Sequence, residues 1–366
     1  MHQTKLTAVC AIQYGFPFDS ALFTADESKG FPLIRIRDVV NGKTKTYFSG
    51  TYPQNYIVHK GDFLIGMDGE FNIAQWKSGD ALLNQRVCKI ESCNPCASSK
   101  YIYRFLQREL KRIEDETPFV TVKHLSAKRL NQIVVPLPSL TEQERIVAEL
   151  DLLTDIINKQ KTQLKELDTL ASSIFYDMFG NPVQNEKGWE RRKLISISKL
   201  LNGRAYKQEE LLDSGKYKVL RVGNFFTNGN FYYSNLELDE DKYCYSGDLL
   251  FAWSASFGAF IWNGEKTIYH YHIWRVLFDK NLLNIHYYRY LLNAMTSYFM
   301  KDVHGTGMVH LTKAGMEQYD LPIPPLFLQQ SFAEKIEAIE RQKANINASI
   351  AETQKLFDYT MDKYFG

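Results

Sequence analysis

From Ile146 onward a series of positions, apolar except for Gln160, steps by four and three residues without a break: Ile146, Leu150, Leu153, Ile157, Gln160, Leu164, Leu167, Ala171, Ile174 and Met178. This 3.5-residue spacing is that of a coiled-coil seam and predicts one long helix. Displaced by 186 residues the seam returns as Phe332, Ile336, Ile339, Lys343, Ile346, Ile350, Thr353, Phe357, Thr360 and Tyr364, now with polar breaks. Thr141-Glu142-Gln143-Glu144 reads as a capping box for the first helix, and Pro136 and Pro138 stop the preceding strand from running into it. Phe327 stands in place of the capping threonine in the second copy. Elsewhere the pattern is short-ranged. FPLIRIRDVV (31–40) and YKVLRVGNFF (217–226) are rich in β-formers and read as strands, while YIYRFLQRELKR (101–112) has helical spacing and a basic outer face.

The displacement that relates the helices relates the whole chain to itself. Lys60-Gly61-Asp62-Phe63-Leu64-Ile65 falls on Ser246-Gly247-Asp248-Leu249-Leu250-Phe251, and Lys123-His124-Leu125 on Val309-His310-Leu311. Val135-Pro136-Leu137-Pro138 falls on Leu321-Pro322-Ile323-Pro324, Gln143 on Gln329, and Phe179-Gly180 on Phe365-Gly366. With slips of one to three residues, YRFL (103–106) meets YRYL (288–291) and Arg86-Val87 meets Arg275-Val276, as small loop indels would allow. The expected organisation is therefore block, helix, block, helix: 1–140, 141–180, 181–325 and 326–366.

Chain order sends the first helix from block one to block two, and the second from block two back. The helices are expected to be antiparallel about a pseudo-two-fold axis, and about 38 residues each would make a rod of roughly 57 Å. The alternative is a plain hairpin packed against the blocks, which would usually carry more than one apolar stripe.

With 45% hydrophobic and 23% charged residues among 366, the chain is a folded multi-domain protein, which excludes disordered and fibrous classes. No apolar run reaches the roughly 20 residues of a membrane span. The start MHQTKLTAVCAIQYG lacks a secretory apolar core, so a cytoplasmic location and no membrane partner are expected. A net charge of +2 gives no bulk case for a polyanion. Its distribution says more: 18 Lys and Arg against 13 Asp and Glu in 1–140, and 17 against 15 in 181–325, but 4 against 8 in 141–180 and 5 against 6 in 326–366. Any polyanion contact belongs to the blocks.

Catalytic motifs are not found. Gly42-Lys43-Thr44 lacks the leading glycine of a phosphate loop, since Arg37 stands there, and Gly215-Lys216 has Glu210 at that place. There is no G-x-S-x-G elbow, no HExxH and no S-adenosylmethionine glycine loop. The Pro324-Pro325 pair, between Ile323 and Leu326, is not the Asn/Asp-Pro-Pro-aromatic string of amino-methyltransferases. The five cysteines are read as reduced thiols; Cys93 and Cys96 with Cys88 and Cys10 would be a zinc site only without the usual second CxxC. His270 and His272 share a strand face, and His304 and His310 flank Gly305-Thr306-Gly307, with no third metal ligand nominated.

The segments after each Gly-Asp turn are the candidate recognition surfaces. Block one offers Asn72, Gln75, Trp76, Lys77, Asn84, Gln85 and Arg86, with Lys123 and His124. Block two offers Trp253, Ser254, Ser256, Lys266, His270 and His272, with Thr306 and His310. Asn, Gln and Arg fit adenine and guanine edges, and Lys suits phosphate. For any single residue, an ordinary polar loop over an aromatic core explains it better than a base contact does; taken together, the residues favour recognition.

A globular block, a proline-led string running into a glutamine-bearing long helix, and the repetition of both resemble the specificity subunit of type I restriction-modification systems. The residues carrying the resemblance are VPLPSLTEQERIVAEL (135–150) and LPIPPLFLQQSFAEKI (321–336), the Gly61-Asp62 and Gly247-Asp248 turns, and Gly188-Trp189-Glu190 with Leu194. Block one lacks the Gly-Trp-Glu opening, and the second copy has Gln-Gln for Glu-Gln-Glu. The resemblance implies an α+β fold: two pseudo-symmetric mixed α/β target-recognition domains separated by an antiparallel coiled coil of two long helices. It implies a non-catalytic reader of double-stranded DNA with an asymmetric bipartite site, whose spacer the coiled coil fixes. Two methyltransferase subunits would dock on it, with restriction subunits in the full complex. The chain itself would hold no cofactor; S-adenosylmethionine, ATP and Mg would sit on the partners. A coiled-coil scaffold and a stand-alone DNA-modifying enzyme are the alternatives.

Overall fold

The computed structural model describes residues 2–118, 123–227, 229–254, 256–302 and 311–366. The chain forms two compact units, one of 1–161 with 348–366 and one of 162–347. Each unit thus owns one block and one end of each long helix, Leu140–Phe179 and Leu326–Phe365.

In the first unit an antiparallel sheet runs in the order Cys10–Tyr14, Val87–Ser92, Phe63–Gly66, Ile73–Gln75. A second sheet places Phe31–Ile34 parallel to Ala81–Leu83, with Leu33 opposite Leu82. The helix Ser99–Glu116 covers the first sheet with Tyr101, Ile102, Phe105, Leu106, Leu110 and Ile113, all buried. The amino-terminal strand His2–Lys5 pairs with Val134–Leu137, a two-stranded edge that tolerates Pro136.

The second unit repeats this in the order Ser198–Asn202, Ile273–Phe278, Leu249–Ser254, Ser256–Ile261. Its parallel pair is Tyr217–Leu220 with Thr267–Tyr269, Val219 lying opposite Ile268. Registers fix the equivalence. Phe63 faces Gln75 and Ile90 in the first unit, and Leu249 faces Ile261 and Val276 in the second, a displacement of 186 at each place. The slipped matches are therefore corrected. Lys89 faces Leu64 where Arg275 faces Leu250, so Arg275 corresponds to Lys89, not to Arg86. Tyr101 and Tyr287, whose hydroxyls donate to the carbonyls of Pro136 (2.6 Å) and Pro322 (2.8 Å), are equivalent, rather than the tyrosines of YRFL and YRYL.

Two strand expectations shorten. After four residues each strand gives way to a short helix, Asp38–Asn41 and Val222–Thr227. The cause is a side chain: Asp38 Oδ2 accepts from the Arg35 amide (2.8 Å) and Asn224 Oδ1 from the Arg221 amide (2.9 Å), turning the chain out of the sheet.

The aliphatic and aromatic positions of the 3.5-residue series are all buried or half-buried, and the helix segments run antiparallel within each unit. In the first, Gln160 bonds Ser349 (2.7 Å) and Glu149 accepts from Tyr364 (2.8 Å). In the second, Lys343 reaches Asp168 (2.7 Å) while Phe332 packs edge-on to Phe175 and Phe179. Toward their ends the helices also join the block cores, through Ile146, Val147, Leu150 and Met361 in one unit and Ala171, Phe175, Phe179 and Ile336 in the other. Ser139, not Thr141, caps the first helix, accepting from the Glu142 amide (3.3 Å).

The buried glutamine of each helix start ties helix to block through three hydrogen bonds. Gln143 accepts from the Ser98 amide (2.9 Å) and donates to the carbonyls of Cys96 (2.8 Å) and Pro138 (2.9 Å). Gln329 does the same with Asn284 (2.8 Å), Leu282 (2.9 Å) and Pro324 (2.8 Å). Both side chains use one acceptor and two donors on backbone groups.

Candidate nucleic-acid interface

Each Gly-Asp turn is built alike. Gly61 and Gly247 adopt φ of 104° and 92°, open to glycine, and Asp62 and Asp248 accept from the amides of His59 (2.9 Å) and Tyr245 (2.8 Å). The turn aims the following hairpin. Trp76, at its far strand, is 1% exposed and donates to the Gly79 carbonyl (2.7 Å); its equivalent Trp262 donates to the Glu265 carbonyl (2.9 Å). Trp76 is thus a core residue that closes the hairpin, which corrects its place among recognition residues. Gln75 is likewise turned back, donating to the Gly61 carbonyl (3.0 Å).

The more informative geometry lies where the parallel strands end. There Gly15 passes so close that a Cβ would stand 2.0 Å from the Asn84 carbonyl oxygen, and Gly203 passes Tyr269 and His270 in the same way at 2.3 and 2.5 Å. In the first unit this end carries Arg35, Asn84 and Arg86. Asp68 gathers two of the candidates, with Arg86 Nε at 3.3 Å and His124 Nδ1 at 2.5 Å. Asn84 is nearly buried and accepts from the Gln85 amide (2.8 Å), while Gln85, Arg86 and Lys77 are exposed. Lys123 is tied to the Glu114 carbonyl (2.5 Å), and Asn72 donates to the Glu70 carbonyl (3.2 Å).

In the second unit the equivalent places hold Arg221, His270 and His272. Trp253 stacks on Trp274 (5.4 Å) and meets His272 edge-on (5.3 Å), and its indole donates to the Tyr271 carbonyl (2.9 Å). His270 lies 4.8 Å from His272, and burial with the neighbouring His272 and Arg221 charges lowers its pKa from 6.5 to about 4, so the ring is neutral at physiological pH. Ser254 is buried inside, Ser256 is half-buried, and Lys266 is drawn away onto the Tyr243 ring (3.9 Å). Thr306 and His310 lie outside the described residues. Sequence reasoning missed Arg35 and Arg221, which sit inside stretches that look like uninterrupted strand. The signal available was that the displacement of 186 aligns them.

Among the described residues no three His, Cys, Asp or Glu side chains are grouped as a metal site, and no helix is long and apolar enough to cross a membrane. Cys93 and Cys96 are exposed; Cys10, Cys88 and Cys244 are buried, and that burial is the leading cause that pushes their thiols up to about 12.

One framework is thus used twice, with Asn84 and Arg86 at the strand end of one unit and His270 and His272 at that of the other. The sequence profile described as the type I restriction modification DNA specificity domain matches residues 2–167 and again 186–354, and the chain belongs to that family. It is 43% identical over 163 residues, 44% of its length, to the type I restriction enzyme EcoBI specificity subunit of Escherichia coli. That match spans 34% of the E. coli protein. Over 314 residues it is 24% identical to the MjaVIII specificity subunit of Methanocaldococcus jannaschii, 78% of this chain and 73% of that one. The same fold occurs in the S subunit of a type I restriction-modification system from M. genitalium, with TM-score 0.54 and 12% identity over 100% of this chain and 96% of the other. A structure concerned with complex assembly and conformational transition of the type I R-M system gives 0.57 at 16% identity, over 100% of this chain and 97% of the other.

Proposed function

We propose that this chain is the DNA-reading subunit of a type I restriction-modification complex. The two units read the two unequal parts of an asymmetric bipartite site in double-stranded DNA. Two methyltransferase subunits dock on the chain and methylate adenine with S-adenosylmethionine, and restriction subunits, where present, use ATP and Mg. The observation that carries this reading is that Asn84 and Arg86 in one unit are replaced by His270 and His272 in the other on an otherwise matched framework. Matched frameworks with unmatched donors suit two readers of different sequences. The test is DNA binding by the chain assembled with its methyltransferase subunits, titrated from low to physiological salt. A log–log slope of several units and a preference for one sequence are expected; a flat response without sequence preference would mean a scaffold.

A further inference from the structure

In the second unit a cavity of about 510 Å³ opens at the strand end, lined by Arg221, Asn224, Asn230, His270 and His272, with no Asp or Glu among the described lining residues. Its polar atoms are unequally occupied. The Asn224 side chain is spent on the backbone, accepting from the Arg221 amide (2.9 Å) and donating to the Gly229 carbonyl (3.1 Å). Arg221 is different: its guanidinium lies 4.2 Å over the Tyr232 ring, which fixes its plane, and its buried Nε has no hydrogen-bond partner. His270 Nδ1 accepts from the His272 amide (3.4 Å), so the neutral ring carries its proton on Nε2. The cavity therefore presents donors from Arg221 and His270, with no carboxylate to receive them among the described lining residues.

We propose that Arg221, with His270 beside it, is a specificity-determining residue of the second unit and reads a guanine through O6 and N7 in the major groove. Guanine alone offers two adjacent acceptors there; adenine and cytosine would set an amino donor against the donors of this cavity. The first unit keeps an arginine at the equivalent place, Arg35, but sets it among carboxylates: Asp38 replaces Asn224, and Arg86, where the second unit has His272, rests on Asp68, so a different base is read there. The inference rests on the proposed function and adds the residue and the base.

The experiment is a methylome of cells carrying the chain with its methyltransferase subunits, as wild type, Arg221→Ala and Arg221→Lys, with assembly of each complex checked by gel filtration. If wild type leaves no bipartite motif, the proposed function itself fails. Given a wild-type motif, relaxation of one guanine in one half-site by both variants, with roughly 10- to 100-fold lost discrimination there and the other half-site unchanged, supports the inference. Every letter retained with uniformly lower occupancy would mean a phosphate contact and overturn it. Should the alanine variant not assemble, the lysine variant decides: a relaxed guanine supports base reading, an intact motif refutes it.

Discussion

Gln329→Leu isolates the polar tie between helix and block in the second unit. Leucine keeps the apolar bulk at a site that is 0% exposed, so little cavity is made, but the Asn284 amide and the carbonyls of Leu282 and Pro324 each lose their side-chain partner. At about 1 kcal/mol for each partly buried group left unpaired, the loss is about 3 kcal/mol. For a unit of this size that corresponds to a fall of roughly 6–12 °C in Tm. Urea unfolding followed by tryptophan fluorescence, with hydrogen exchange at the Asn284 amide, reads both the energy and its place. A loss below about 1 kcal/mol with unchanged exchange at Asn284 would refute the reasoning, because three simultaneous bonds could then not be holding the helix start.

Other perturbations follow from the same geometry. Trp76→Ala should destabilise the first unit by about 3–5 kcal/mol, measured by urea unfolding, while Trp76→Phe leaves every letter of the methylated motif unchanged. Arg104 is buried and holds Asp151 through Nη2 (2.6 Å) and Nε (3.1 Å), with Thr154 at 3.0 Å. Because Asp151 is 39% exposed, Arg104→Ala is expected to cost about 2 kcal/mol rather than the full buried-pair penalty, again by urea midpoint. His270 is protonated less readily folded (about 4) than unfolded (6.5), so the unfolded state gains protons first as pH falls. Stability of the second unit should be complete above pH 6.5 and decline from there toward pH 4, and His270→Gln should flatten that part of the curve; parallel wild-type and variant profiles would contradict it.

Periodicity carried the long helices, because a seam of 3.5-residue spacing is written locally and runs through ten positions before the chain turns. The duplication was legible for the same reason: Gly-Asp turns and helix-start glutamines sit at fixed distances. What escaped was non-local or short. Leu33 and Leu82 pair in parallel across 49 residues, so strand order could not be read from either segment alone. The exits from the sheet at Asp38 and Asn224 depend on one side-chain acceptor each, which no hydropathy pattern records. Trp76, flanked by Gln75 and Lys77, had the composition of a recognition loop, yet its indole closes the hairpin from inside. Arg86 and His124, distant in sequence, are gathered on the one carboxylate of Asp68, whose backbone bridges to His124.

The central claim is that the two units read unlike halves of one DNA site. It is tested most directly by a base-resolution methylome in a host lacking other adenine methyltransferases, carrying the methyltransferase subunits with and without this chain. The account predicts a single asymmetric bipartite adenine-methylated motif that appears only when the chain is present. A symmetric motif would contradict unequal readers, and methylation that is the same without the chain would contradict the reader itself.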